Sequence, residues 1–221
     1  MYNITLICTR HTELGKCNSA ELYKIIERID PELIFEEIPP SYFDKYYINK
    51  SHNNLETDTI NKYLETHKAE HIPVDSDNLP SESFFQNHKY MLEHIEGLAD
   101  INGFNYRKLT DTNKMFVEMY GFKYLNSISC INLNNEIYDA IEKGLQKVNN
   151  EKLFQTYNLW KDINEKRENV MLQNIYNYSK DHSYEKAIFT VGSGHRKSIS
   201  KKIEKYEMQE KIKLNWIFYN N

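Results

Sequence analysis

Residues 187–206 constrain the fold more than any other part of the chain. Residues 187–191 form a mainly apolar run, AIFTV, which predicts a strand buried on both faces. The run is interrupted by Gly192 and Gly194, reaches His195 and continues into a basic segment that favours a helix. In open parallel α/β sheets, ligand sites form beyond the carboxyl ends of the strands, beside the start of the next helix. His195 is therefore the first candidate for a functional residue.

The beginning of the chain repeats this arrangement. Residues 4–8 form another apolar run, which predicts the first strand, and His11 lies three residues beyond Cys8, as His195 lies three residues beyond Gly192. If the two strands are parallel neighbours, both histidines reach the same crevice.

The rest of the pattern predicts a single α/β domain over residues 1–221, with a mixed, mostly parallel sheet flanked by helices. Residues 84–181 contain no proline and have helical periodicity, which predicts an insertion of about four helices that caps the crevice at the strand ends. Turns are expected near Asn102, Asn126 and Asn149. The remaining predictions are helices at 18–30 and 56–67, strands at 32–37 and 69–75, an irregular segment at 41–55, and an antiparallel edge strand at 211–219.

Composition limits the class of protein. The 221 residues include 28 Lys and Arg against 32 Asp and Glu, for a net charge of −4, so nothing requires nucleic acid or an anionic membrane as partner. The three cysteines lack CxxC spacing, which argues against a disulfide framework or a cysteine-ligated zinc site. The N-terminal apolar run is too short for a signal peptide or a spanning helix, so a cytoplasmic location is expected.

Polar side chains collect at the predicted strand ends. Glu36 and Glu37 end the second strand and Asp75 ends the third, so they are expected at the same edge of the sheet as His11 and His195. Two imidazoles with carboxylates can hold a divalent metal and an activated water, or a histidine can act as a general base oriented by a carboxylate. Each residue alone is more often a structural polar group at a loop end. Strand alternation predicts that one of the paired glutamates faces the crevice and the other faces solvent.

An anion site at the same edge is a weaker alternative. The segment 192–198, GSGHRKS, lacks the glycine spacing of a phosphate-binding P-loop, but a helix start with nearby cations can bind an anion. Arg196 and Lys197 are otherwise expected in an exposed first turn. The residues predicted to bind substrate or an anion are Arg10, Glu36, Asp75, Gly194 and Arg196.

The order of these motifs resembles the TraB/PrgY and Tiki superfamily, to which erythromycin-esterase-like and ChaN-like proteins are more distantly related. In that superfamily a strand ends in GxxH, a second strand ends in an acidic residue, an RNxxM helix follows, and a second GxxH comes near the end. The resemblance covers about residues 1–75 and 162–221, and Cys8 stands where the first motif has glycine. The matching positions are His11, Glu37, Arg167 with Met171, and His195.

The resemblance implies a hydrolase, with metal-dependent peptidase chemistry in Tiki-type members and histidine-based water activation in esterase-type members. The leading hypothesis is a small intracellular hydrolase in which His11 and His195 hold Mn, Co or Zn or activate water. Glu37 would act as base or metal ligand, and Arg167 would steady an anionic group or oxyanion of a small-molecule or peptide substrate. The alternative is a binding module that sequesters a small molecule or a protein in the same crevice without turnover.

Overall fold

The five strands form one parallel sheet. The computed structural model describes residues 2–98 and 105–220, so the turn expected near Asn102 lies outside the described residues. The strand order is β3-β2-β4-β1-β5, and every neighbouring pair is parallel. The α/β class is thus confirmed. The strands are β1 (Tyr2–Thr9), β2 (Leu33–Glu36), β3 (Glu70–Pro73), β4 (Lys186–Gly192) and β5 (Leu214–Phe218).

Helices connect the strands and form the insertion. The irregular segment expected at 41–55 contains a short helix, and the insertion has four long helices with one short helix between them. The helices are α1 (Ser19–Ile29), α2 (Phe43–Tyr47), α3 (Leu55–Leu64), α4 (Glu82–Glu96), α5 (Tyr106–Tyr120), α6 (Phe122–Leu125), α7 (Ile128–Val148), α8 (Glu151–Asp181) and α9 (Arg196–Gln209).

Local sequence explains where several elements begin and end. The Asn18 side chain accepts a hydrogen bond from the Glu21 backbone N–H and caps α1, which ends at Asp30 in a left-handed conformation (φ 53°) before Pro31. Pro73 is tolerated because β3 lies at the edge of the sheet, as predicted. The antiparallel direction predicted for the last strand is wrong, because α9 returns the chain so that β5 pairs with β1 in parallel.

The sheet is covered by helices on both faces, as a parallel sheet requires. Alternate strand residues face opposite sides. Ile7, Ile34 and Ile188 pack in one hydrophobic cluster with residues of α1 and α3. Leu6 and Phe35 belong to another cluster, with residues of α8 and α9.

Helix α8 joins the insertion to the sheet. Its first part contributes Leu153 and Tyr157 to a cluster with α4 and α7, and its last part contributes Met171 and Ile175 to the cluster under the sheet. Within residues 2–98 and 105–220, no helix combines the length and apolarity needed to cross a membrane.

The carboxyl ends of β1 and β4 are fixed side by side. The two strands are parallel neighbours, and Thr9 lies opposite Gly192. Pairing with β5 stops at Leu6, and beyond it the Asn126 side chain accepts from the Cys8 N–H (2.8 Å) and donates to the Cys8 carbonyl (2.9 Å). This amide extends the hydrogen bonding of β1 to the point where the chain leaves for His11.

Candidate functional site

Three predicted residues surround one point above Gly192. A methyl group on the Gly192 Cα would lie 3.4 Å from Glu37 Oε2, 3.7 Å from His195 Cδ2 and 3.9 Å from His11 Nε2. The register of β1 with β4, and of β2 with β4, brings these side chains to the same edge of the sheet. The sequence prediction that His11, Glu37 and His195 converge is therefore met by the geometry.

Glu37 is the anionic centre of this group. Its Oε1 accepts from Arg167 Nη2 at 2.7 Å and lies 3.3 Å from His195 Nε2, while its Oε2 accepts from the Gly192 N–H at 2.7 Å. Burial by itself would raise the pKa of Glu37, but the charge and hydrogen bond of His195, together with Arg167, hold it far below the usual carboxyl range. Glu37 is therefore ionised at neutral pH.

His195 lies between two carboxylates. Its Nε2 faces Glu37, and its Nδ1 is 2.7 Å from Glu168 Oε1. Burial opposes the charged ring, yet the charge of Glu37 and the hydrogen bond to Glu168 raise the pKa of His195 to about 9. Near neutral pH His195 is an imidazolium with both nitrogens engaged, so it has no lone pair to offer a proton or a metal.

Glu168 was missed by the sequence analysis. Its second oxygen accepts from Ser198 Oγ at 2.5 Å and pairs with Lys202 Nζ at 3.1 Å. Burial acts to raise the pKa of Glu168, but its hydrogen bonds to His195 and Ser198 lower it below the ordinary value. A signal was present, because Glu168 shares a helix face with Met171 and Ile175 at positions i+3 and i+7, and a carboxylate on an apolar face is unusual.

Arg167 bridges Glu37 and Asp75. Its Nε lies 3.2 and 3.1 Å from the two Asp75 carboxylate oxygens, and its Nη2 donates to both Asp75 Oδ2 and Glu37 Oε1 at 2.7 Å. Its Nη1 is 3.4 Å from Asn164 Oδ1. Asp75 is only 2% exposed and is covered by this guanidinium, so it supports Arg167 and does not reach the open cavity.

His11 is the most accessible of the group. Its side chain is 56% exposed, and its Nδ1 lies 3.6 Å from Oε2 of Glu56, a residue of α3 that the sequence analysis did not single out. The interaction with Glu56 raises the pKa of His11, although burial opposes this. The backbone N–H of Leu55 donates to the His11 carbonyl at 3.2 Å, which ties His11 to the start of α3.

An open cavity of about 470 Å³ lies over this group, between the strand ends and helices α7 and α8. Its wall combines charged side chains with three aromatic rings, a composition typical of small-molecule sites. The lining residues are His11, Glu37, Tyr138, Glu142, Tyr157, Trp160, Lys161, Asn164, Arg167, Glu168, Gly194, His195 and Ser198.

Glu36 does not face this cavity. It points to the opposite side of the sheet, where it accepts a hydrogen bond from the Tyr47 hydroxyl and lies 3.0 Å from His71 Nδ1. Its exposure is 1%, so the expectation that one of the paired glutamates faces solvent is wrong. The reason is that α2, which forms in the segment expected to be irregular, places Tyr47 against Glu36.

The residues of the predicted anion site are dispersed. Of that set only Gly194 lines the cavity. Arg10 donates to Thr12 Oγ1 at 3.1 Å. Arg196 was expected in an exposed first turn but is 7% exposed, with Nη2 3.5 Å from Asn220 Oδ1. The first turn of α9 packs against the chain end after β5, which buries it.

The predicted metal ligands do not fit a metal in this arrangement. Both oxygens of Glu37 accept hydrogen bonds from protein donors, and both nitrogens of His195 face carboxylates. Within the part of the chain that the structure describes, no group of three or more His, Cys, Asp or Glu side chains could hold a metal ion. Metal binding remains a prediction of the sequence.

Comparisons of the chain with protein-family profiles, curated proteins and solved structures find no match. The TraB/PrgY and Tiki resemblance therefore also remains a prediction, and the functional argument depends on the site itself.

Proposed function

We propose that the chain is a hydrolase in which His11 activates a water molecule in the space above Gly192. The observation that carries this proposal is the difference between the two imidazoles. His195 has both nitrogens against carboxylates, whereas His11 Nε2 lies 3.9 Å from the point above Gly192 and the ring has access to the cavity. His11 is therefore the better general base.

The neighbouring charges suit the transition state of such a reaction. As His11 Nε2 takes the proton, the water oxygen attacks the electrophilic carbon of an ester or amide, and the proton then passes to the leaving group. Arg167 Nη1, which has a 3.4 Å contact with Asn164 and a second N–H, can donate to the negative charge that develops on the attacked carbonyl oxygen. The His195 imidazolium, whose N–H groups are directed to Glu37 and Glu168, contributes through its charge. Glu37 holds both cations in position.

The cavity favours a small substrate. A volume of about 470 Å³ suits a small molecule or the end of a peptide, and Tyr138, Tyr157 and Trp160 provide apolar contact area. A metal-dependent version, with Mn, Co or Zn on His11, Glu37 and His195, would require Glu37 and His195 to release their present partners. The donors therefore favour the metal-independent version.

A hydrolysis panel with matched histidine variants tests the proposal. Wild-type protein, His11→Ala and the control His94→Ala, which changes an exposed histidine of α4, are assayed on ester, peptide and phosphodiester substrates. We expect wild type and the control to hydrolyse one substrate class, and His11→Ala to lose about 10²- to 10⁴-fold in kcat, as removal of a general base does.

Two outcomes would contradict it. Absence of turnover together with a ligand-dependent rise in melting temperature would favour the binding module. Activity that disappears with chelator and returns with added Mn, Co or Zn would favour the metal-dependent version.

A further inference from the structure

A second, much smaller cavity lies beneath His11. Its volume is about 10 Å³, close to the minimum for one water molecule, and it lies at the carboxyl ends of β1, β2 and β4. Most of its lining residues have polar side chains, although the surface they present to it is mainly apolar, so a water there depends on the few polar atoms that reach it. Its lining residues are Thr9, His11, Glu36, Glu37, Ile38, Glu56, Thr190 and Val191.

Glu56 is the unusual member of this lining. It is 7% exposed, and neither of its carboxylate oxygens has a hydrogen-bond partner within the described residues. Such a group is destabilising unless a donor reaches it. Glu56 lies in the first turn of α3, whose backbone the capping box of Asn54 and Thr57 holds beside the cavity.

The two threonine hydroxyls of the cavity have no proton left for Glu56. Thr9 Oγ1 donates to the Val191 carbonyl at 3.3 Å, and Thr190 Oγ1 donates to the Phe35 carbonyl at 3.4 Å. The carboxylate of Glu37 is ionised and accepts from Arg167 and Gly192. Glu36 accepts from Tyr47, and burial raises its pKa, so it is a lining group that can carry a proton. Beside it, the donors that the cavity offers Glu56 are the His11 ring and a water.

We propose that Glu56 is a positioning residue for His11, holding the ring proton on Nδ1 so that the Nε2 lone pair faces the space above Gly192, and that one buried water donates to Glu56. The catalytic role of this arrangement rests on the proposed hydrolase function, whereas the His11 tautomer set by Glu56 does not. The present 3.6 Å separation is long for a hydrogen bond, but such contacts often shorten when substrate closes a site.

The tautomer of His11 can be measured without substrate. Imidazole ¹⁵N spectra, assigned with His11→Gln and recorded above the titration range of His11, should show Nδ1 protonated and Nε2 unprotonated in the wild type. Glu56→Gln retains an acceptor oxygen and should keep this tautomer, whereas Glu56→Ala should lose it. The control Glu65→Gln, at the exposed end of the same helix, should have no effect.

The result that overturns the proposal is an Nε2-protonated His11 in the wild type, or a tautomer that Glu56→Ala leaves unchanged. The wild-type spectrum decides the first point even if Glu56→Ala does not fold. A crystal structure in which the small cavity contains no water density would overturn the part concerning the water.

Failure of this inference is distinguishable from failure of the hydrolase proposal. If no substrate is hydrolysed but His11 has the Nδ1 tautomer, the positioning role stands and the function is wrong. If hydrolysis is found, Glu56→Ala should lower kcat more than it changes KM, because the residue acts on the base and does not contact substrate, and Glu56→Gln, which keeps the tautomer, should retain more of the wild-type kcat.

Discussion

Gly192 leaves open the space in which the proposed reaction takes place. Its φ of −56° is accessible to alanine, and the added methyl would make contacts of 3.4 to 3.9 Å, which are ordinary van der Waals distances. We therefore expect Gly192→Ala to fold with nearly the wild-type melting temperature and to lose hydrolysis, because the methyl narrows the space in which the water would attack. Gly97→Ala, at the end of α4, is the control and should keep activity. Full activity in Gly192→Ala would place the water elsewhere.

Arg167 pairs with two buried carboxylates, so its loss should lower stability strongly. Arg167→Met leaves the buried carboxylates of Glu37 and Asp75 without their shared cation, and removal of one partner of a buried ion pair typically costs about 3 to 5 kcal/mol. Urea unfolding measures this cost. Lys166→Met, an exposed neighbour on α8, should change the free energy of unfolding by less than about 0.5 kcal/mol. Equal effects of the two substitutions would contradict the prediction.

The ion network also predicts how stability depends on pH. Although burial opposes it, the neighbouring carboxylates raise the pKa of His195 from 6.5 to about 9 on folding, so its stabilisation is complete below pH 6.5 and is lost as the pH rises through 9. The pKa values of Glu37 and Glu168 are lowered on folding, so their stabilisation is present above the ordinary carboxyl range and is lost as the pH falls below it.

Urea unfolding at a series of pH values measures this dependence. We expect the free energy of unfolding to decline between pH 6.5 and 9 in the wild type and to decline less in His195→Gln. A wild-type free energy that stays constant over this range would contradict the imidazolium assignment.

At the residue scale, site residues that follow strands were easier to predict from the sequence than site residues that lie on helices. His11, Glu37 and His195 follow strands, and the parallel register of those strands is sufficient to bring them together. Glu56 and Glu168 lie on helices, and their approach to the histidines depends on how each helix packs on the sheet, which sequence spacing does not encode.

At the scale of elements, the loop after β1 is fixed by contact with the end of α5. The Lys16 N–H donates to the Glu118 carbonyl at 2.9 Å, and Gly121 (φ 53°) lies so close that an added Cβ would be 2.4 Å from the Lys16 carbonyl oxygen. The insertion therefore supports the segment between His11 and α1.

Gly121→Ala should disturb this contact. The left-handed conformation and the clash with Lys16 together predict a loss of about 1 to 3 kcal/mol in unfolding free energy, measured by urea unfolding. Gly97→Ala should be close to neutral, because among the described residues its added Cβ would meet only two backbone oxygens, at 3.5 Å. Similar results for both glycines would show that the loop does not depend on close approach.

The positions of the helices and strands were largely predictable from the sequence, but the direction of the last strand was not. The apolar patterns of the sequence were sufficient to predict β1, α1 and β2. The alternating pattern of β5 predicts one buried face but carries no information on strand direction, which depends on the path of α9. Asn126, expected only as a turn, also forms two side-chain hydrogen bonds with β1, and no local pattern predicts this.

At the scale of the whole molecule, α8 contributes residues to two hydrophobic clusters, and the large cavity lies beside the part of α8 between them. Tyr157 belongs to the cluster of the insertion, and Met171 to the cluster under the sheet. Arg167 and Glu168 lie between them on the same helix, whose 31 residues run without interruption. The helical cap predicted from residues 84–181 therefore has no hinge along α8.

Because α8 is continuous, it restricts which changes in its length would preserve the cavity. Each residue added to a helix rotates the residues beyond it by about 100°. An insertion of one residue between Trp160 and Asn164 would therefore turn Tyr157 and Trp160 away from the side of α8 that carries Arg167. An insertion of seven residues restores the phase to within about 20°. Variants in which α8 is longer or shorter are therefore expected to differ by about seven residues, which is two helical turns. Insertions or deletions of a single residue are expected in the loops between the other helices.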